Sequence, residues 1–225
     1  VDAALTVDLL QQAILQLRAS PPLELSASLT GLGYAVLAVR RDRRAWVFGA
    51  LSSAMLAWLA AGARLPLQAV LQSAYVLMAV HGFRNWSRAA DARDARVRID
   101  RWPIRSHLVA MLAVALGTLA LAPALARWTD AASPHLDAAT TLGSLFATWL
   151  TARAVFENWY WWLAVNIASF ALYQSQGLAL VSVLYLVYLV IAVIGLRAWS
   201  RQPATDTADP PAGDDAPRTD ERGER

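Results

Sequence analysis

The chain predicts an all-α integral membrane protein of seven transmembrane helices preceded by an N-terminal amphipathic helix, and three observations carry that prediction. Hydrophobic residues fill 57% of the 225 positions and charged residues 16%, with a mean hydropathy of +0.37. Apolar content therefore sits above the soluble norm and charge below it. Apolar runs of near-membrane length recur along most of the chain, and ~20 such residues cross a ~30 Å hydrocarbon core. The arginines gather in alternate loops, as the positive-inside rule requires of a multi-pass chain.

Residues 1–21 form the first element. Ala3, Val7, Leu10, Ile14 and Leu17 share one helical face, while Asp2, Thr6, Asp8, Gln11 and Gln12 fall largely elsewhere. That pattern predicts a helix lying at the outer interface or against the bundle. The spans follow at 23–39, 45–63, 65–86, 107–126, 138–155, 159–175 and 177–199, with spans two and three hinged at Pro66. Arg40, Arg41, Arg43 and Arg44 follow span one, Arg84 to Arg105 follow span three, Arg153 ends span five, and Arg197 and Arg201 end span seven. The opposite loops hold little beyond Arg64 and Arg127, so alternation places the C-terminus in the cytoplasm. Residues 202–225 are acidic, proline-rich and without hydrophobic pattern, which predicts a disordered cytoplasmic tail.

Composition also removes function classes. There is no cysteine, and the three histidines show no ligand spacing, so neither a metal site nor a cofactor is expected. No nucleophile sits with a base and no glycine loop cradles phosphate, so the chain is not read as an enzyme. The arginines are spread over short inter-helix loops, which fits topology and not nucleic-acid binding.

The sequence repeats. HGFRNWSR at 81–88 matches IGLRAWSR at 194–201, and the same offset of 113 pairs Tyr75 with Tyr188, Trp46 with Trp159, Arg40 with Arg153 and Glu24 with Asp137. Residues 22–88 are then a first three-helix repeat and 137–201 a second. Residues 89–136 hold a cytoplasmic loop, a linker helix and a periplasmic loop. Because one linker crossing restores the starting side, both units run the same way: a 3+1+3 parallel repeat of the SWEET-like kind, with substrate expected between the units near the midplane.

Helical spacing sorts the polar residues into stripes. Span three carries Gln68, Gln72, Tyr75, Ala79, Gly82 and Trp86; span five carries Asp137, Thr141, Ser144, Thr148 and Thr151; span six carries Trp159, Trp162, Asn166 and Tyr173. The span-five hydroxyls suit helix-to-helix packing. Trp86 and Trp199 read as interfacial belt aromatics, and Trp159 reads equally as belt or as pathway. Trp162, Asn166 and Gln72 lie deeper, where an unpaired amide in hydrocarbon is costly, and they predict a pathway lining. Opposite Trp159, Trp162 and Asn166 the first repeat has Trp46, Gly49 and Ser53. That exchange either leaves room for a flat ligand or permits close helix packing.

The run Glu157-Asn158-Trp159-x-x-Trp162-x-x-x-Asn166, followed by Tyr173, Gly177 and Tyr185, resembles the bacterial nicotinamide riboside transporters of the PnuC family. Glu24, Gly31, Gly49, Leu71-Gln72, Gly82-x-x-x-Trp86 and Gly195-x-Arg197-x-Trp199 extend the resemblance over about residues 22–201. It implies a homotrimer in the lipid bilayer of the bacterial inner membrane, taking up nicotinamide riboside for NAD biosynthesis, with a cytosolic nicotinamide riboside kinase trapping the product. Relatives of this architecture carry thiamine, riboflavin or deoxynucleosides. Trp159 and Trp162 suit the pyridinium cation, the Asn166 amide suits a carboxamide or ribose hydroxyls, and Gln72, Tyr75 and Thr148 suit the ribose, with Tyr173 on the same face as the indoles. No Asp, Glu, Lys or His falls in the central part of any span, which predicts facilitated diffusion without ion coupling. The reading from a different class is a non-transporting membrane scaffold, whose stripes would be packing surfaces.

Overall fold

The computed structural model describes residues 3–63, 66–91, 97–129 and 133–201. The predicted disordered tail, 202–225, and Arg64 lie outside the described residues. Eight helices are found among them: α1 (Ala3–Ala19), α2 (Pro22–Val39), α3 (Arg44–Gly62), α4 (Pro66–Asp91), α5 (Ile104–Trp128), α6 (Pro134–Ala152), α7 (Asn158–Ser175) and α8 (Ala179–Ser200). The last seven follow the predicted spans. Prolines mark several starts, with Pro22 and Pro134 in the first turns of α2 and α6 and Pro103 capping α5, where a missing N–H costs nothing.

By length and composition α2, α3, α5 and α8 meet the requirements of a membrane span. The three others among the spans, α4, α6 and α7, are the helices that carry the polar stripes. Their polar side chains must therefore face protein or an internal space. Helix neighbours arrange this: α2 packs on α3, α3 on α4, α4 on α6, α6 on α7, α7 on α8, and α8 returns to α2, closing a ring. α5 lies outside the ring against α6, exposing Leu108, Val109, Met111, Leu112, Leu116 and Leu119.

α1 packs against α8. Gln16 donates from Nε2 to the Gly177 carbonyl at 3.0 Å and accepts at Oε1 from the Leu180 amide at 2.8 Å, satisfying one of the free N–H groups at the start of α8. Ala13 is buried there, whereas Val7, Leu10, Ile14 and Leu17 of the predicted apolar face are about half exposed. That face is turned away from the bundle, as suits an apolar surface beside lipid.

The C-terminal ends of α2, α4, α6 and α8 meet at one end of the ring, and the loop arginines Arg40, Arg41, Arg43, Arg44, Arg153 and Arg201 adjoin them. Trp86 donates its indole N–H to the Thr151 carbonyl at 3.2 Å, Asn85 donates to the Ala152 carbonyl at 2.8 Å, and Trp199 donates to the Val39 carbonyl at 3.1 Å. These are among the last carbonyls of α6 and α2, which no intrahelical N–H reaches. Trp86 and Trp199 are thus core residues, 0% and 2% exposed, and not the belt aromatics expected from their place near helix ends. The physical reason is one helical turn away. Gly82 and Gly195 leave no Cβ where the rings of Trp46 and Trp159 lie, so each helix end admits an edge-to-face indole pair, Trp46 with Trp86 and Trp159 with Trp199, both at 5.4 Å.

α2 and α6 end alike. Arg41 and Ala154 adopt left-handed φ values of 56° and 54°. Asp42 then bonds back to the Leu37 carbonyl at 3.1 Å, and Val155 to the Leu150 carbonyl at 3.0 Å, the six-to-one closure of a Schellman turn. A strap of chain, residues 97–102, lies across both turns. Arg41 Nη1 donates to the Val97 carbonyl at 2.9 Å. Asp100 donates to the Ala154 carbonyl at 3.0 Å and accepts from the Phe156 amide at 2.8 Å, and the Trp102 amide donates to Glu157 Oε2 at 3.0 Å. Val97, 4% exposed, is wedged into the tryptophan cluster.

Candidate functional site

The ring of helices encloses a cavity of about 300 Å³. Its floor, at the arginine-rich end, is formed by Trp46, Trp159 and Thr151, all buried. Gln72, Thr148, Trp162 and Asn166 line the middle, and Gln68, Asp137 and Tyr173 stand at the opposite end, where exposure rises. The space is closed by indoles at one end and open at the other.

All seven residues nominated from the sequence, Gln72, Tyr75, Thr148, Trp159, Trp162, Asn166 and Tyr173, line this one cavity. They differ in what they have left to offer. Trp162 donates its indole N–H to Thr151 Oγ1 at 3.1 Å, and the Thr151 proton in turn points to the Ala147 carbonyl at 2.8 Å and to Asn158 Oδ1 at 3.2 Å. The bond fixes the ring and leaves its π face as the ligand-facing surface. Asn158 is wholly buried and donates to the Val155 carbonyl at 2.6 Å, so this member of the sequence motif is structural. Thr148 donates to the Ser144 carbonyl at 2.7 Å, and Tyr75 pairs with Ser144 Oγ at 2.6 Å. The side-chain amides of Gln72 and Asn166 have no partner among the described residues although 8% and 3% exposed. Both border the cavity, where an amide can donate to and accept from a ligand.

The lining residues that were not nominated include three further tyrosines, Tyr34, Tyr185 and Tyr188, and the carboxylate Asp137. Tyr173 and Tyr185 stack in parallel at 5.3 Å, and Tyr188 meets Tyr185 edge-on at 6.0 Å. The repeat held the signal for two of them, since Tyr188 stands 113 residues after Tyr75 and Tyr185 113 after Gln72. The room expected at Gly49 is taken by the first unit itself: a Cβ there would lie 3.0 Å from the Tyr34 ring. Gly49 thus serves close packing while still bordering the cavity.

Asp137 is the one charged side chain among the lining residues described. Aromatic faces, two free amides and several hydroxyls can hold a flat molecule with a polar edge. They supply no nucleophile and base in reach of one another. Such a chamber, enclosed by helices and open at one end, is what a multi-pass membrane carrier requires.

Comparison with known proteins identifies the carrier class. Residues 21–201 match the family described as nicotinamide mononucleotide transporter, and the chain belongs to that family. The riboflavin/roseoflavin transporter RibM of Streptomyces davaonensis is 28% identical over 180 residues, which cover 78% of this chain and 83% of the relative. The nicotinamide riboside transporter PnuC of Escherichia coli is 25% identical over 154 residues, which cover 58% of this chain and 64% of that protein's length. The crystal structure of the vitamin B3 transporter PnuC superposes with a TM-score of 0.66 at 23% identity, covering 89% of this chain and 92% of the other. The fold is that of PnuC, and the protein is a membrane transporter of the nicotinamide mononucleotide transporter family.

Proposed function

We propose that the protein takes up nicotinamide riboside by facilitated diffusion across the bacterial inner membrane. The observation that carries this reading is the charge and shape of the lining: among the described residues it has tryptophan and tyrosine faces, two unpartnered amides, one carboxylate and no cationic side chain. A flat cation gains ~0.5–2 kcal/mol from an indole face once desolvated, and Asp137 near the mouth attracts the same charge. Trp159 and Trp162 take the pyridinium, Asn166 the carboxamide, and Gln72, Tyr75 and Thr148 the side of the ribose, with Tyr173 near the entrance.

In this reading α2–α4 and α6–α8 are two parallel units of a 3+1+3 arrangement joined by α5. The arginine-rich end faces the cytoplasm, and the chain assembles as a trimer. Alternating access is one unit rocking against the other, which requires the strap to release one of the two turns it spans. The cavity middle has no carboxylate, lysine or histidine to carry a coupling proton, so net uptake depends on phosphorylation of the product by a cytosolic kinase. An imposed pH gradient alone should then drive no accumulation in proteoliposomes.

Uptake of a neutral flavin is the second reading, favoured by the 28% identity with RibM over most of the chain. Calorimetry on the purified protein separates the two. Nicotinamide riboside should bind more tightly than thiamine, nicotinamide or riboflavin. Tight binding of riboflavin with none of nicotinamide riboside would replace the substrate, and binding of none of the four would reject both readings.

A further inference from the structure

The repeat places two tyrosines alike and then treats their hydroxyls differently. Tyr75 of α4 faces α6, and Tyr188 of α8, 113 residues on, faces α2. Both border the cavity. Opposite Tyr75 stands Ser144; opposite Tyr188, at the corresponding position, stands Gly31.

Ser144 Oγ donates its only proton to the Thr141 carbonyl at 3.0 Å. In the 2.6 Å contact between Tyr75 Oη and Ser144 Oγ the phenol is therefore the donor, and its proton is occupied within the protein. Nothing does this for Tyr188. A Cβ on Gly31 would lie 2.7 Å from Tyr188 Oη and 3.2 Å from Ser52 Oγ, and Ser52 directs its own proton to the Ala27 carbonyl at 2.8 Å. The Tyr188 hydroxyl thus hangs over a bare backbone, without a hydrogen-bond partner among the described residues. Packing does not account for the oxygen, because phenylalanine would make the same edge-on contact with Tyr185.

We propose that Tyr188, kept free by Gly31, is a specificity-determining residue that hydrogen-bonds the hydroxyl groups of the substrate's sugar or polyol arm. The inference rests on the transport reading above. A phenol both donates and accepts, which matches a vicinal diol and gives no advantage to a bare aromatic ring. Both candidate vitamins have such an arm, a ribose on nicotinamide riboside and a ribityl chain on riboflavin.

The test compares each vitamin with its ring alone: nicotinamide riboside against N1-methylnicotinamide, which keeps the cationic ring, and riboflavin against lumiflavin. Binding is measured by calorimetry on the full chain. Tyr188→Phe should weaken the hydroxylated member of the bound pair about five- to tenfold, the effect of one lost hydrogen bond, and leave the ring-only member within about twofold. Gly31→Ser, whose Cβ would lie 2.7 Å from Tyr188 Oη and push that hydroxyl out of place, should produce the same selective loss, and Tyr75→Phe a smaller one. Equal weakening of both members, or no change in either, overturns the proposal even where the parent binds nicotinamide riboside. A parent that binds only the flavin pair defeats the substrate reading while Tyr188 is judged on that pair. A parent that binds neither pair overturns both. Tyr188→Phe removes one oxygen from an otherwise unchanged ring, and the thermal midpoint of each variant checks that it is folded.

Discussion

Near the arginine-rich end, Trp46, Gly82 and Trp86 of α3 and α4 repeat as Trp159, Gly195 and Trp199 of α7 and α8, with the same 5.4 Å indole pairs and the same glycine beneath each ring. One or two turns farther in, the correspondence fails: Gly49 answers to Trp162, Ser53 to Asn166, Gln72 to Tyr185 and Gly31 to Ser144. The difference follows from what each region must fit. At the closed end the two units meet each other, Trp86 lying 6.5 Å from Trp199, and two like surfaces close on themselves. In the middle, on the function proposed above, they surround a molecule with a ring at one end and an arm at the other, which has no twofold symmetry. A cavity complementary to such a molecule has to break the symmetry of its walls.

The largest expected effect tests the matched end. A Cβ at Gly82 would lie 2.3 Å from the Trp46 ring, and one at Gly195 2.4 Å from that of Trp159. Each indole is held edge-on to its partner tryptophan and can give way only by disturbing the cavity floor, so Gly82→Ala and Gly195→Ala should each cost about 3 kcal/mol, at the upper end for overpacking. The two losses should be similar, as read from thermal midpoints without ligand. Tolerance of one and collapse of the other would show that the two ends are not equivalent.

The mismatched middle predicts an effect on binding instead. Trp162→Ala removes the fixed indole face and should weaken nicotinamide riboside binding roughly ten- to thirtyfold, since a desolvated cation–π contact reaches ~2 kcal/mol. The corresponding Gly49→Ala presses on Tyr34 and should register mainly as lost stability. If the Trp162 variant binds as the parent does, the stacking role is wrong and the asymmetry has another cause.

Much of this was legible in the chain because membrane burial writes itself into composition. The seven helices α2–α8, the offset of 113 and three polar stripes needed only period and spacing, and the stripes converge on one cavity. What was misread depended on neighbours. Trp86 and Trp199 look interfacial by position, and only the small residue four places earlier, Gly82 and Gly195, hints that another helix brings an indole into that space. Tyr185 and Tyr188 sit in α8, whose strongly apolar run hides two hydroxyls. The strap at 97–102 has no periodicity, and its bonds go to residues more than fifty positions away, beyond any local pattern.

The smallest effect concerns the paired turns. Arg41 and Ala154 both occupy the left-handed position that glycine normally takes after a helix. For an L-residue this costs ~1–2 kcal/mol, and glycine there relieves it at the expense of ~0.5–1 kcal/mol of unfolded-chain entropy. Ala154→Gly sets this relief against a buried methyl, Ala154 being 2% exposed in the tryptophan cluster and one such group contributing ~0.8 kcal/mol, so it should leave stability within about 0.5 kcal/mol of the parent, Asp100 contacting only the backbone at that turn. Arg41→Gly gains the same relief but loses the buried guanidinium bond to the Val97 carbonyl, a charge-assisted bond contributing ~1.5–3 kcal/mol. Its thermal midpoint should fall while that of Ala154→Gly stays close to the parent's. Equal shifts in one direction would mean that the arginine contributes nothing to holding the strap, and that the two turns, for all their difference in side chain, fasten it by backbone alone.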